Sequence, residues 1–287
     1  MPKHITKEQK EDIIEFYKQK PITVDDVAKK FNISPPSVIK ILNEYHIKRY
    51  TKVQLFSPNL YERYFENIDT EEKAYFLGLI ITDGCVHNTK GKQSLLSITL
   101  KENDSYILER FKNEIKSNKK ITNDGRGCCQ ISILSNTMVN DLKKYGVIFN
   151  KTDKTLFPSN IPEDLYKHLI RGILDGDGSV SYYSRPNRKC HVKAIRFCQG
   201  NEQFLIDIVN FLSSKIGIDK IKTYREKDSL WSIAYRKNES IKKLIDYLYD
   251  DAHIYFKRKK YLCDLIYLEI NTGNTEITDD IKRLSVS

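Results

Sequence analysis

The sequence predicts an α+β fold built from two similar halves behind a small all-α module. Each half reads helix–strand–strand–helix–strand–strand–helix (αββαββα), with a four-stranded antiparallel sheet. Three observations predict this. First, one phrase occurs twice, as Phe76-Leu77-Gly78-Leu79-Ile80-Ile81-Thr82-Asp83-Gly84 and as Ile170-Arg171-Gly172-Ile173-Leu174-Asp175-Gly176-Asp177-Gly178. Its closing aspartates, Asp83 and Asp177, lie about 94 residues apart, a domain-sized period. Second, the apolar patterns after each copy follow the same order. Third, residues 5–50 carry helical spacing and three helix-start signals in a row.

In the first module (1–52), Thr6 caps a helix to about Lys18 that ends at Pro21. Thr23 caps Val24 to Phe31. Asn32-Ile33-Ser34 makes a tight turn, and Ser34 caps a third helix with Pro35 in its first turn. Helix, short turn, helix in this pattern resembles the helix-turn-helix of DNA-binding proteins. Ser34, Pro36, Ser37, Lys40 and Asn43 are then the recognition-helix candidates, and Lys48 and Arg49 lie in a basic exit that could track phosphates. The alternative is a helical hairpin used for protein contact. Residues 53–70 read as a linker or extended arm, from which Tyr61, Tyr64 and Phe65 dock on the next domain.

The first half (71–158) has its motif helix at Glu71–Thr82, strands near 85–88 and 94–100, a helix at 105–115, strands near 120–122 and 130–134, and a helix at 137–145. The second half (159–270) has its motif helix at Asp164–Asp175, strands near 180–183 and 193–198, a helix at 202–216, strands near 221–225 and 231–236, and a helix at 239–249. A last helix covers 261–269, before a polar tail (271–287). Lys101-Glu102-Asn103-Asp104 echoes Gln199-Gly200-Asn201-Glu202, and Ile131-Ser132-Ile133 echoes Trp231-Ser232-Ile233.

The motif helices are written against ordinary helix chemistry. Glycine after a helix commonly takes the left-handed conformation, so Gly84 and Gly178 read as caps. An aspartate in the last turn adds to the negative end of the helix dipole, at a cost of about 0.3–1 kcal/mol. A glycine inside a helix costs about 1 kcal/mol against alanine. One such helix is ordinary core with a cap. Two suggest that Gly78 and Gly172 let the helices pack closely, with Asp83 and Asp177 side by side and holding a cation. Paired carboxylates with carbonyl and water oxygens suit magnesium.

These two phrases resemble the paired motifs of the LAGLIDADG homing endonucleases, over about residues 71–270. The first copy departs from the motif at Ile81 and Thr82; the second is its Asp-Gly-Asp-Gly variant. The resemblance implies a monomeric, pseudo-twofold endonuclease that cuts both strands across the minor groove and leaves 3′ overhangs. It implies Mg2+, or Mn2+, on Asp83 and Asp177 with main-chain carbonyls of Thr82 and Gly176. It implies a basic residue after the third helix of each half: Lys151 in the first, and Lys257 in preference to Lys259 in the second. Lys101 and Gln199 match the polar pocket residues. Each lysine also reads singly as a plain surface charge.

Lys and Arg outnumber Asp and Glu 48 to 38, a net charge of +10 that favours a polyanionic partner, nucleic acid above all; the resemblance makes that partner double-stranded DNA. Sheets can enter a major groove. The strand-borne candidates for DNA are Lys90, Lys92 and Arg126 in the first half. In the second they are Arg188, Lys189, Lys193, Arg196, Lys222, Arg225 and Arg236, together with Lys259. Cys85, Cys128, Cys129, Cys190, Cys198 and Cys263 lack zinc or disulfide spacing and read as reduced thiols of an intracellular protein, in cytoplasm, nucleoid or organelle matrix. No run is long and apolar enough to cross a bilayer, and no signal peptide or intein junction is expected. Two rival functions share the fold: a non-cleaving transcriptional regulator and an RNA-binding intron maturase.

Overall fold

A computed structural model of the 287-residue chain describes residues 5–50, 55, 57–87, 93–148, 155–185, 191–227 and 230–273. The described residues form two compact units, one reaching to Tyr61 and including Glu114–Lys119, the other holding the rest.

Three capped helices make the first unit: α1 (Lys7–Gln19), α2 (Val24–Phe31) and α3 (Pro35–Glu44). The hydroxyls of Thr6, Thr23 and Ser34 accept from the backbone N–H groups of Gln9, Asp26 and Ser37. Each such cap contributes about 1 kcal/mol. Asn32 takes the left-handed conformation (φ 50°), which turns the chain between α2 and α3. Helices this short need tertiary support. It comes from Ile13, Ile14, Tyr17, Val27, Ala28, Val38, Ile41 and Leu42, all buried together. The Tyr17 hydroxyl accepts from the Tyr50 N–H at 2.9 Å, tying down the exit segment.

The second unit holds the duplication. Its first half contains α4 (Glu71–Asp83), β1 (Gly84–His87), β2 (Leu95–Lys101), α5 (Ser105–Glu114), β3 (Thr122–Asn123), β4 (Cys128–Leu134) and α6 (Asn136–Lys143). The second contains α7 (Tyr166–Asp177), β5 (Ser179–Tyr183), β6 (Val192–Gln199), α8 (Glu202–Ile216), β7 (Tyr224–Lys227), β8 (Leu230–Tyr235), α9 (Asn238–Tyr249) and the closing α10 (Lys257–Thr272). The sheets are antiparallel and have the same order, β1-β2-β4-β3 and β5-β6-β8-β7. Tyr64 and Phe65 are buried against Phe111, so the segment from Glu62 packs on the first half.

Strand alternation gives each sheet one helix-packed face and one open face. Leu96, Ile98, Leu100, Ile131 and Ile133 are buried on the first. Ile195, Phe197, Ile233 and Tyr235 do the same in the second. Ser97, Thr99 and Lys101 point the other way, as do Arg196 and Cys198.

The two motif helices pack on each other more extensively than any other pair of helices. The contact is made at the two internal glycines. A Cβ on Gly78 would stand 2.2 Å from the Leu169 carbonyl oxygen, and one on Gly172 would stand 2.2 Å from the Tyr75 carbonyl oxygen.

Three sequence expectations about helix ends are corrected. Gly84 and Gly178 are not left-handed; their φ values are −82° and −88°. The chain instead passes straight from helix to strand over its own last turn. A Cβ there would lie 2.6 Å from the Ile80 carbonyl oxygen and 2.5 Å from that of Leu174. Helix α7 continues to Asp177 rather than stopping at Asp175. Helix α10 starts at Lys257 and takes in a basic run that the dipole disfavours in a first turn. Local partners offset this: Arg258 reaches Asp104, Lys260 reaches Asp264, and Lys259 turns inward.

Candidate functional site

Because α4 and α7 are in register at their glycines, their carboxyl-terminal residues meet at one end of the pair. A Cβ on Gly176 would stand 1.8 Å from Thr82 Oγ1 and 3.1 Å from Asp83 Oδ2. Asp83 therefore lies against the backbone just before Asp177. Thr82 needs its partner to be glycine, and its hydroxyl turns back to the Leu79 carbonyl at 2.9 Å. Asp83 is half-buried and Asp177 exposed, so the shared end of the pair opens to solvent. Thr82 and Asp83 thus lie against Gly176, the residue before Asp177.

Beneath them is a polar network that the sequence reading missed. Asp175 is fully buried; its Oδ2 accepts from the Tyr75 hydroxyl (2.8 Å) and from the Phe256 N–H (2.7 Å). Burial pushes its carboxyl up to about 6, against the pull of Lys259 and these donors. The Lys259 ammonium is buried too and donates to the carbonyls of Leu174 (2.6 Å), Asp175 (2.6 Å) and Gly178 (2.7 Å). It closes the end of α7, as a left-handed glycine would otherwise do. Burial lowers it to about 8, with Asp175 opposing that shift. Arg171 donates to the carbonyls of Leu248 and Ile254 and to Glu71, while Glu71 accepts from the N–H groups of His253 and Ile254. Residues 248–259 are thereby strapped across both motif helices. The available signal was the mismatch between the copies, since Arg171 and Asp175 stand where the first has Leu77 and Ile81.

Several expected site residues are corrected. Lys257 is exposed, and its ammonium sits over the Tyr106 ring at 4.9 Å; Lys259 is the lysine at the seam. Lys259 is not presented to DNA: its ammonium is buried and donates to three main-chain carbonyls of the protein itself. Gln199 does not stand where Lys101 stands. Cys85 pairs with Ser97 and Ser179 with Arg196, so the counterpart of Lys101 is Gly200, and that of Gln199 is Leu100. Lys101 is exposed on the open face, whereas Gln199 is buried on the helix side with its Oε1 on the Gly200 N–H. By the same register Ile131 matches Ile233, two residues from the echo read in the sequence. Lys193 points to the helix face, where Glu269 accepts from it at 2.7 Å beside Tyr182 and His191.

Among the other DNA candidates, Arg196 lies on the open face of the second sheet. Arg126 is exposed in the turn before β4, Lys222 before β7, and Arg236 after β8. Arg225 is exposed beside the Trp231 ring, 5.8 Å from its centroid. In the first unit, Ser34, Pro36, Lys40, Asn43, Lys48 and Arg49 are exposed and Ser37 half-buried. The hydroxyls of Ser34 and Ser37 bond each other at 2.8 Å. Lys90, Lys92, Lys151, Arg188 and Lys189 lie outside the described residues. Cys85, Cys128, Cys129, Cys198 and Cys263 are free thiols. Among the described residues no helix is long and apolar enough to cross a membrane.

Comparison with known proteins agrees with this geometry. No curated protein matches the sequence. A lysine-to-alanine mutant of I-SmaMI is similar in structure, with 15% identity over 74% of this chain and 96% of that one, at a TM-score of 0.54. The LAGLIDADG homing endonuclease I-GzeII in complex with its DNA target gives 16% identity, 73% and 96% coverage, and a TM-score of 0.56. I-SmaMI bound to uncleaved DNA in the presence of calcium ions gives 14%, 76%, 98% and 0.52. These likenesses establish the fold. The family model for the LAGLIDADG-like domain matches residues 70–144 and again 164–249, the two halves seen here. The chain belongs to the LAGLIDADG family and carries both copies of its domain in one polypeptide.

Proposed function

We propose that the chain is a monomeric, site-specific DNA endonuclease of the homing type, making metal-dependent double-strand breaks in a long target. The observation that carries this reading is Asp83 lying against Gly176, the residue before Asp177, at the end of two helices packed through glycine. The donor set fits Mg2+, or Mn2+. Two carboxylates and the main-chain oxygens of Thr82 and Gly176 are hard ligands, and Mg2+ completes its shell with phosphate and water oxygens. When bound, such an ion supplies a hydroxide nucleophile, offsets charge in the transition state and eases departure of the 3′ oxygen.

The chain's own groups do the rest. Asp83 and Asp177 hold the site. Lys259 fixes the end of α7 on which Asp177 is carried. Lys101, exposed at the end of β2, steadies a phosphate oxygen. The open faces of the two sheets lie along the duplex, the cut crosses the minor groove, and 3′ overhangs result. Helices α1–α3 act as a helix-turn-helix that lengthens the footprint, with Lys48 and Arg49 on phosphates.

The test is incubation of the full chain with a plasmid library of duplex sites, with Mg2+ and without it, followed by sequencing of new ends. Recurrent ends with 3′ overhangs that need the cation support the proposal. Duplex binding with no cutting under any divalent cation replaces it with the regulator. Preferential binding of structured RNA replaces it with the maturase.

A further inference from the structure

Glu226 is a carboxylate on a surface otherwise suited to DNA. It reaches that surface through a bulge in β7 between Arg225 and Lys227. Its Oε1 accepts from the Ser232 hydroxyl at 2.5 Å and from Arg196 Nη1 at 3.3 Å. Ser232 and Arg196 lie on β8 and β6, on the open face of the second sheet. Ser232 is buried, so it holds the carboxylate from below. Arg196 and Glu226 are each a little over one-third exposed, within reach of a ligand on that face.

This pair is poorly explained as a stabilising device. A single, partly exposed contact of this kind adds little to stability. A carboxylate facing a polyanion weakens binding unless it meets a donor. In a major groove two base pairs offer such a donor, through cytosine N4 or adenine N6. Guanine, across from cytosine, offers O6 and N7 to an arginine, the commonest specific contact. A buttressed arginine beside a carboxylate therefore matches one base pair on both of its bases.

We infer that Arg196 and Glu226 together read one G·C pair in the second half-site, Arg196 on guanine O6 and N7 and Glu226 on cytosine N4. This rests on the reading of the chain as a duplex-DNA reader. Both contacts to Glu226 use Oε1, so Oε2 is the oxygen turned to the cytosine. Ser232 fixes the carboxylate, and the carboxylate fixes the guanidinium, before DNA arrives. The first sheet has no such pair at the matching place. There Ser97 stands for Arg196, its hydroxyl bonded to that of Ser132 at 3.0 Å, and Gln130 bonds Thr99 at 2.9 Å. The G·C requirement is thus expected in one half-site and not at its mirror position.

The experiment is selection of bound duplexes from a random pool by the full chain in Ca2+, followed by single-base variants of the selected site. One pair in one half-site should be G·C, with every other pair bound about 10–100-fold more weakly. Arg196→Ala and Glu226→Gln should each flatten the preference at that pair to less than about 3-fold and leave the other pairs as before. Uniform weakening across all pairs by Arg196→Ala, with the G·C preference intact, overturns the inference and makes Arg196 a phosphate contact. An unchanged preference in Glu226→Gln overturns it as well. In both cases the wild-type selection still succeeds, so DNA reading itself stands. A wild-type chain that enriches no duplex overturns that underlying reading and this inference with it.

Discussion

Gly78 and Gly172 stand back to back, each facing the backbone of the other motif helix at a distance no side chain could share. The placing of Asp83 against Gly176, one residue before Asp177, follows from this contact, because both helices end the same number of residues later. Gly172→Ala forces a methyl against the Tyr75 carbonyl and must part the helices. The expected cost is about 1–3 kcal/mol. Differential scanning calorimetry should show a lower Tm, by roughly 2–4 °C for each kcal/mol in a chain of this size. An unchanged Tm would mean that the helices are not in backbone contact.

Lys259 and Lys257 should separate cleanly. Lys259→Met leaves three carbonyls, two of them buried, without their donor, at about 1–3 kcal/mol of stability. It should also slow cleavage by more than about 10-fold, through loss of order at the end of α7. Lys257→Ala removes an exposed ammonium stacked on Tyr106 and should leave the cleavage rate within about 3-fold. Chemical denaturation and cleavage time courses on both variants check this.

The duplication made much of this architecture legible. Two copies of one phrase gave the pairing of the motif helices and the role of their glycines, and alternation gave the strands. What stayed hidden was long-range or depended on register. Lys259 lies over eighty residues from the carbonyls it caps, and no local pattern links them. The apolar spacing starts the last helix at 261, although α10 takes in the basic run from Lys257. Gln199 was misplaced because a strand has period two, so a one-residue error in aligning the halves moves a side chain to the opposite face.

His168 gives a pH prediction. Burial, with the Arg171 charge second, depresses it to about 4 from an ordinary 6.5, and its Nδ1 accepts from Arg171 at 2.9 Å. The folded state therefore favours the neutral ring. Its contribution is fully present above about pH 6.5 and is lost as pH falls through the folded value near 4. The loss is on the order of 3 kcal/mol. Urea denaturation between pH 7 and pH 4 should show His168→Gln losing less stability than wild type over that window. Parallel curves would refute the assignment.

Lys193 and Arg49 test which basic residues meet DNA. Lys193→Ala should lower stability by about 2–4 kcal/mol, since it leaves Glu269 buried without its cation, and should leave the salt dependence of DNA binding unchanged. Arg49→Ala should leave stability within about 0.5 kcal/mol and reduce the slope of log K against log salt by about 1. Fluorescence anisotropy over a salt series reads both.

The account stands on two carboxylates acting at one place on DNA. The most direct measurement compares Asp83→Asn, Asp177→Asn and wild type on a selected duplex in Mg2+, with cleavage and binding read in parallel. Either substitution should lower double-strand cutting by more than about 100-fold while duplex affinity stays within about 3-fold. Cutting at the wild-type rate by both variants would contradict it.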